Sequence, residues 1–167
     1  NLKSDLQEIE KATARSQNII RNLLDFSAEG EKSRRLTTFD EIVEKTAPML
    51  KAVMRIHRQE FDLDTKDSFI EVEPHLLQQV FFNLVNNACQ AMKDPGILSV
   101  RSFKEKDQVI LRVEDTGPGI PENIREKIFE PFFTTKKEGL GTGLGLSLTK
   151  KIVESFGGEI RLRSEMG

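Results

Sequence analysis

A chain of 167 residues, 37% of them hydrophobic, can bury one core and make one ordinary domain with at most a short appendage. Its 27 acidic and 25 basic residues leave a net charge of −2, which excludes bulk electrostatic capture of nucleic acid or of an anionic membrane. There is no apolar run of about 18 residues and no signal peptide, so this segment is expected to make no membrane contact of its own. Its single cysteine, Cys89, excludes an internal disulfide and suits a cytoplasmic location, whether the parent protein is soluble or membrane-anchored.

In chain order, residues 2–27 come first. Leu2, Leu6, Ile9, Thr13, Ser16, Ile20 and Leu23 step by four and three, the spacing of a bundle or coiled coil, and Ile19, Leu24 and Phe26 widen the stripe. Residues 1–28 therefore read as a long bundle-type helix that needs a partner helix, although one amphipathic helix folded back onto the domain fits the same pattern. The stretch "SAEGEKSRR" breaks the pattern with glycine and charge, which makes 29–37 a linker and 38–167 the main domain. Residues 40–57 read as a helix bent at Pro48. "EFDLDT" and "SFIEVE" alternate as strands. Residues 74–92 read as a helix with Pro74 at its first position, and "ILSVRSF" with "QVILRVE" as a strand pair. A short helix is expected at 121–129 and another helix at 144–156, ended by "FGG" and followed by a final strand, "EIRLR". The interspersed pattern, with strand pairs that suggest hairpins, predicts an α+β fold: a mixed, mostly antiparallel sheet with helices on one face.

Three stretches carry chemistry. From Leu76 to Met92 the third helix has no charged residue, in a chain where 31% are charged. A solvated face is normally charged. Here Gln79, Asn83, Asn87 and Gln90 line one side at helical spacing, with Asn86 beside them. An asparagine oxygen is a good hard ligand for Mg²⁺ and its N–H groups can approach phosphate, though amides bonded to core backbone fit as well. In "VILRVED", Val109, Leu111, Val113 and Asp115 share one face by the strand period of two, which points the Asp115 carboxylate toward the core. A buried carboxylate needs a donor; the exocyclic amino group of adenine is one, and turn capping in "DTGPG" is the alternative. Third, in "GLGTGLGL", Gly139, Gly141, Gly143 and Gly145 alternate and open a helix, whose free N–H groups and positive dipole end suit phosphate. The spacing is neither the dinucleotide-binding fingerprint nor a P-loop. Just before it, "FFTTK" puts Lys136 within loop reach of the same phosphates.

In this order the motifs resemble the ATP-binding catalytic domain of two-component sensor histidine kinases, with its Bergerat-type nucleotide fold. The asparagine box is "FFNLVNNACQAM", the first glycine box "EDTGPGI", the phenylalanine box "IFEPFFTTK" and the second glycine box "GTGLGL"; the likeness covers about residues 36 to 167. "NNACQAM" with "IFEPFFTTK" is similar to the subgroup that includes nitrogen-regulation sensor kinases. "RSQNIIRNLLDFS" is similar to the second helix of the dimerisation and histidine-phosphotransfer hairpin. The resemblance implies that Asn87 coordinates Mg²⁺ and that Asn83, one turn earlier, supports the phosphate and metal site. It implies that Asp115 binds the adenine amino group, with Gly117, Gly119 and Ile120 shaping that pocket. Lys136 would touch the terminal phosphates of ATP or ADP. Gly141, Thr142, Gly143, Leu144 and Gly145 would cradle phosphate, and residues 130–142 would form a lid.

The implied reaction transfers the γ-phosphate of Mg²⁺–ATP to a histidine on the hairpin, for relay to an aspartate of a response-regulator receiver domain. The full-length protein would be a homodimer through that hairpin. The chain departs from the family pattern at three places. Neither His57, in "RIHRQ", nor His75, in "EPHLL", has the acceptor context, so the acceptor is expected before Asn1. The family's last strand, with a threonine that helps hold adenine, is expected beyond "RSEMG". Many relatives have a basic residue where Gln90 stands. The alternative function is an ATP-hydrolysing clamp of the same fold. Those proteins place a glutamate base four residues before the metal-binding asparagine, and here that position is Asn83, whose amide takes no proton from water.

Overall fold

The computed structural model describes residues 33–136 and 141–166; the N-terminal helix expected over 1–28 lies outside them, as does Gly139. Two layers are seen. The strands β1 (Arg35–Thr37) and β3 (Ile70–Val72) pair antiparallel. A three-stranded sheet has the order β2 (Arg58–Leu63), β4 (Ile97–Glu105), β5 (Gln108–Asp115), with β2 parallel to β4 and β4 antiparallel to β5. The helices are α1 (Phe39–Met54), α2 (Pro74–Ala91) and α3 (Gly145–Ser155). This is the expected α+β fold with a mixed sheet, but the strands are divided between an antiparallel pair and a three-stranded sheet with one parallel and one antiparallel pairing.

The period of two decides which face the helices cover. On β4, Leu98, Val100 and Ser102 are buried, and the first two join a core with Ile42 and Leu50 of α1, Phe81 and Val85 of α2 and Ile152 of α3. The alternate residues face away; there the Arg112 guanidinium lies 5.2 Å from the centre of the Phe103 ring. The β4–β5 hairpin closes on Lys106 and Asp107, with Lys106 at a φ of 54°, the left-handed conformation that hairpin turns need.

Four expectations are corrected. The strands read from "EFDLDT" and "SFIEVE" make no hairpin with each other: β2 joins β4 and β3 joins β1. The reason is Asp40, which is buried at the start of α1. Its carboxylate accepts from the Thr65 N–H at 3.1 Å, from the Thr65 hydroxyl and from the Ser102 hydroxyl at 2.8 Å. A carboxylate out of water must be satisfied in this way, and satisfying it pulls the chain out of the sheet directly after β2. Second, β1 lies within the stretch read as linker, because pairing with β3 recruits its last three residues. Third, 121–129 is not one helix but two 3-10 turns, Glu122–Ile124 and Lys127–Phe129, closed by Arg125 N–H to Glu122 O and Glu130 N–H to Lys127 O. Flanked by Pro121 and Pro131, the segment is too short to repay nucleation of an α-helix. Fourth, "EIRLR" is not in a ladder. That stretch runs into a segment bonded through a side chain instead, where Ser164 Oγ accepts from the Ile120 N–H at 2.8 Å. As expected, Pro48 lies inside α1, and Pro74 opens α2.

Thr38 caps α1 by accepting from the Glu41 N–H at 3.2 Å. The Glu41 side chain then ties β1 to the helix. It accepts from Lys45 Nζ at 2.6 Å, the Thr37 hydroxyl at 2.7 Å and Arg35 Nη2 at 3.1 Å. Lys45 and then Thr37 hold its carboxyl down to about 2 from an ordinary 4.5. A depressed folded-state value gives stability that is present above pH 4.5 and lost as pH falls toward 2. Because the group is partly solvated, Glu41→Gln is expected to cost only about 1 kcal/mol at pH 7. Urea unfolding at pH 7 and pH 3 checks this, with the gap between wild type and variant narrowing at the lower pH.

Candidate functional site

The last three turns of α2 are the floor of the site. Apolar spacing buries Val85, Ala88 and Cys89, which leaves Asn83, Asn87 and Gln90 on the side toward the start of α3 and Lys136, with Asn86 bonded to Gln90. The first turn of α3 sits directly over this amide face. A Cβ on Gly145 would lie 3.7 Å from Asn87 Nδ2 and 3.8 Å from Asn83 Oδ1, and Asn83 Nδ2 approaches the Gly145 carbonyl at 3.5 Å. Leu144, the residue before the helix, gives α3 no side-chain cap, so the first N–H groups of the helix are left for another acceptor. The asparagine box and the second glycine box, some sixty residues apart in sequence, thus share one wall.

Lys136 crosses from the loop to the same place. Its Nζ donates to Asn87 Oδ1 at 3.1 Å and to Gln90 Oε1. Burial lowers the Lys136 ammonium below the usual lysine range. Gly141 makes room for the lysine stem: a Cβ there would lie 3.1 Å from Lys136 Cδ and 2.7 Å from Thr134 Oγ1. Thr142 turns the backbone into α3 by accepting from the Leu144 N–H at 3.3 Å. Gly143, at a φ of 67°, is pressed against Phe132, whose N–H donates to the Gly143 carbonyl at 3.0 Å. Phe132 itself stands at a φ of 67° and is 65% exposed. That is a costly conformation for a bulky residue, and the phenylalanine box is locked to the glycine box through it.

The second wall begins at the end of β5. Asp115 was expected to be buried, and it is exposed. The strand parity holds, since Leu111 and Val113 pack on the core, but the core ends at Val113 and Asp115 lies one step beyond its rim. Asp115 Oδ1 accepts from the Gly117 N–H at 2.8 Å, the turn-capping bond that was the alternative reading. The carboxylate remains beside α2: with burial as the larger cause, it helps push the Cys89 thiol upward. Gly117 packs on Ala91, 3.4 Å from where a Cβ would sit. Gly119, at a φ of 77°, passes so close to the 164–166 segment that a Cβ would strike the Glu165 carbonyl oxygen at 2.0 Å. The carbonyl of Ile120, which is half-buried, accepts from Arg125 Nε at 3.0 Å.

The structure therefore gathers Asn83, Asn87, Lys136, Gly141, Thr142, Gly143, Leu144 and Gly145 on one side of the end of α2. Asp115 and Gly117 lie on the other, with Gly119 and Ile120 further along the same turn. Gln90 was discounted in the sequence because it is not basic; its position three residues after Asn87 was the available signal. Asn87 Oδ1 suits a hard cation, for it already accepts from an ammonium, and Mg²⁺ commonly takes one or two protein oxygens with the rest from phosphate and water. His57 is only 6% exposed and its Nδ1 accepts from the Gly96 N–H at 3.2 Å, so it is a packing residue.

Residues 72–167 match the family described as histidine kinase-, DNA gyrase B-, and HSP90-like ATPase. The sensor kinase CckA of Brucella abortus is 36% identical over a stretch that is 98% of this chain and 19% of that protein. The signal transduction histidine-protein kinase AtoS of Escherichia coli is 35% identical, over 89% of this chain and 25% of its own length. This chain thus spans a quarter or less of these relatives. Among solved structures, the catalytic domain of histidine kinase ThkA superposes with a TM-score of 0.68 at 34% identity, covering 78% of this chain and 90% of that one. ThkA in complex with the response regulator protein TrrA gives 0.72 at 29% identity, covering 98% of this chain and 49% of that one. Matched by this family over more than half its length and sharing its fold with the ThkA catalytic domain, the chain belongs to the histidine kinase-, DNA gyrase B-, and HSP90-like ATPases.

Proposed function

We propose that this chain is the ATP-binding catalytic region of a sensor histidine kinase, and that it presents the γ-phosphate of Mg²⁺–ATP to a histidine on a dimerisation hairpin. The observation that carries the reading is the meeting of Asn83, Asn87 and Lys136 under the uncapped start of α3. Positive charge and free N–H groups there converge on one spot, which is what a triphosphate requires. Asn87 would hold the metal through Oδ1. A metal held there would supply positive charge against the phosphates. Asn83 would orient the phosphates, Lys136 would swing onto the terminal ones, and Asp115 would accept from the adenine amino group, with Gly117, Gly119 and Ile120 beside the ring. No general base is needed in this domain, because a neutral imidazole already offers a lone pair. Asn83 also sets this reading apart from a hydrolysing clamp, since its amide cannot activate water.

The relay partner in this proposal is a receiver-domain aspartate, as the ThkA complex with a response regulator suggests by analogy. Among the described residues no helix is long and apolar enough to cross a membrane; we place the domain on the cytoplasmic side, where ATP and a receiver domain would meet it. The test is incubation with labelled ATP. The chain alone is expected to take up no label, and a separately made two-helix hairpin carrying an acceptor histidine is expected to gain acid-labile, base-stable phosphate. Stoichiometric label on His57 or His75, or steady phosphate release with no acceptor present, overturns the proposal.

A further inference from the structure

One cation and two neutral oxygens form the tightest polar cluster of the site. Lys136 Nζ is shared between Asn87 Oδ1, at 3.1 Å, and Gln90 Oε1. Both ends of this bridge are fixed. Gln90 Nε2 donates to Asn86 Oδ1 at 3.2 Å, which turns the Gln90 oxygen toward the lysine. The Lys136 backbone N–H donates to Thr134 Oγ1 at 3.2 Å, and the stem lies against Gly141. The ammonium therefore sits on the same oxygen that the proposed function gives to Mg²⁺. The ammonium and a divalent cation would compete for that oxygen, because two cations at this separation repel each other even at a part-buried site. One of them must leave, and only a phosphate offers the lysine a better partner than two amides.

We propose that Gln90 is a positioning residue that parks Lys136 on Asn87, so that the ammonium keeps the cation seat until a triphosphate draws it away and the metal takes its place. The inference rests on Asn87 being the metal ligand. Gln90 need touch neither nucleotide nor metal; it sets how firmly the lysine is held in the nucleotide-free protein. Metal then enters together with nucleotide, since free Mg²⁺ brings nothing that removes the lysine. A neutral glutamine is suited to this role: a basic residue at position 90 would expel Lys136.

The experiment is a set of Mg²⁺–ATP titrations by calorimetry on the 167-residue chain. Gln90 is exposed, so Gln90→Leu and Gln90→Ala should both fold. Each is expected to tighten Mg²⁺–ATP binding about threefold to tenfold, the net worth of one solvent-exposed hydrogen bond that no longer has to be broken. In a Lys136→Met background the same substitutions are expected to change nothing. In parallel, the Lys136 ε-methylene resonance, assigned by its loss in Lys136→Met, should sit at its nucleotide-bound or solvent position in apo Gln90→Leu. Unchanged or weakened binding in both glutamine variants, or a gain that persists without Lys136, overturns the inference. Asn87→Ala is the separate control: it should abolish the magnesium dependence of ATP binding. If it does not, the metal assignment fails first; if it does and the Gln90 variants behave like wild type, only the parking role fails.

Discussion

Asp115→Asn is expected to weaken ATP binding by roughly 1.5–3 kcal/mol, a tenfold to more than hundredfold rise in Kd, with little change in folding stability. The two halves of that expectation come from the two tasks of one carboxylate. Oδ1 accepts from the Gly117 N–H and holds the turn after β5. An asparagine keeps that bond, since its side-chain oxygen accepts in the same place. What it loses is the charge, and with it the charge-assisted bond proposed for the adenine amino group. Inosine triphosphate lacks that amino group and serves as the internal standard. Wild type should prefer ATP over it, and Asp115→Asn should bind both about equally. If the variant still discriminates as well as wild type, adenine is recognised elsewhere. Asp115→Ala, which loses the turn bond too, should in addition lower stability by about 1 kcal/mol.

The position of Asp115 also shows where sequence reasoning reached its limit. Alternation along β5 put the side chain on the correct face, because the period of a strand is a local property. How far the core extends along that face is not local. It depends on where α2 ends against β5, and the described core stops at Val113. The same division runs through the rest of the molecule. The amide face of α2 was legible because seventeen residues without a charge are conspicuous in a chain this polar. The glycines opening α3 were legible because they alternate directly before an amphipathic helix. The partners of β2 and β3 were not legible, since the choice is made by a bond between Asp40 and Thr65, 25 residues apart and of ordinary residue types. Nor was the bridge from Lys136 to Gln90, which joins positions 46 residues apart. Loop closures of this kind leave no periodicity behind. They are where the structure adds most to the reading of the site.

Two glycines of one motif should fail in different ways when each is given a single methyl group. Gly143→Ala is expected to destabilise the domain by roughly 2–4 kcal/mol and to abolish useful nucleotide binding. Its φ of 67° disfavours any L-residue, and the new Cβ would lie 2.4 Å from the Phe132 carbonyl carbon and 2.6 Å from its oxygen. Those atoms are backbone, already held in a left-handed conformation and bonded back to Gly143, so they cannot yield without dragging the phenylalanine box off the start of α3. Gly145→Ala meets no such obstacle. Its Cβ would rest 3.7 Å from Asn87 Nδ2 and 3.8 Å from Asn83, an ordinary contact, and alanine within a helix is worth up to about 1 kcal/mol over glycine. That methyl nevertheless projects over the two asparagines, into the space proposed for phosphate and metal. The expected result is a domain at least as stable as wild type that binds Mg²⁺–ATP at least tenfold more weakly. Thermal unfolding and nucleotide titration on the two variants separate the cases. Should Gly145→Ala bind ATP normally, the first turn of α3 is not the phosphate cradle, and the convergence on Asn83 and Asn87 needs another ligand to explain it.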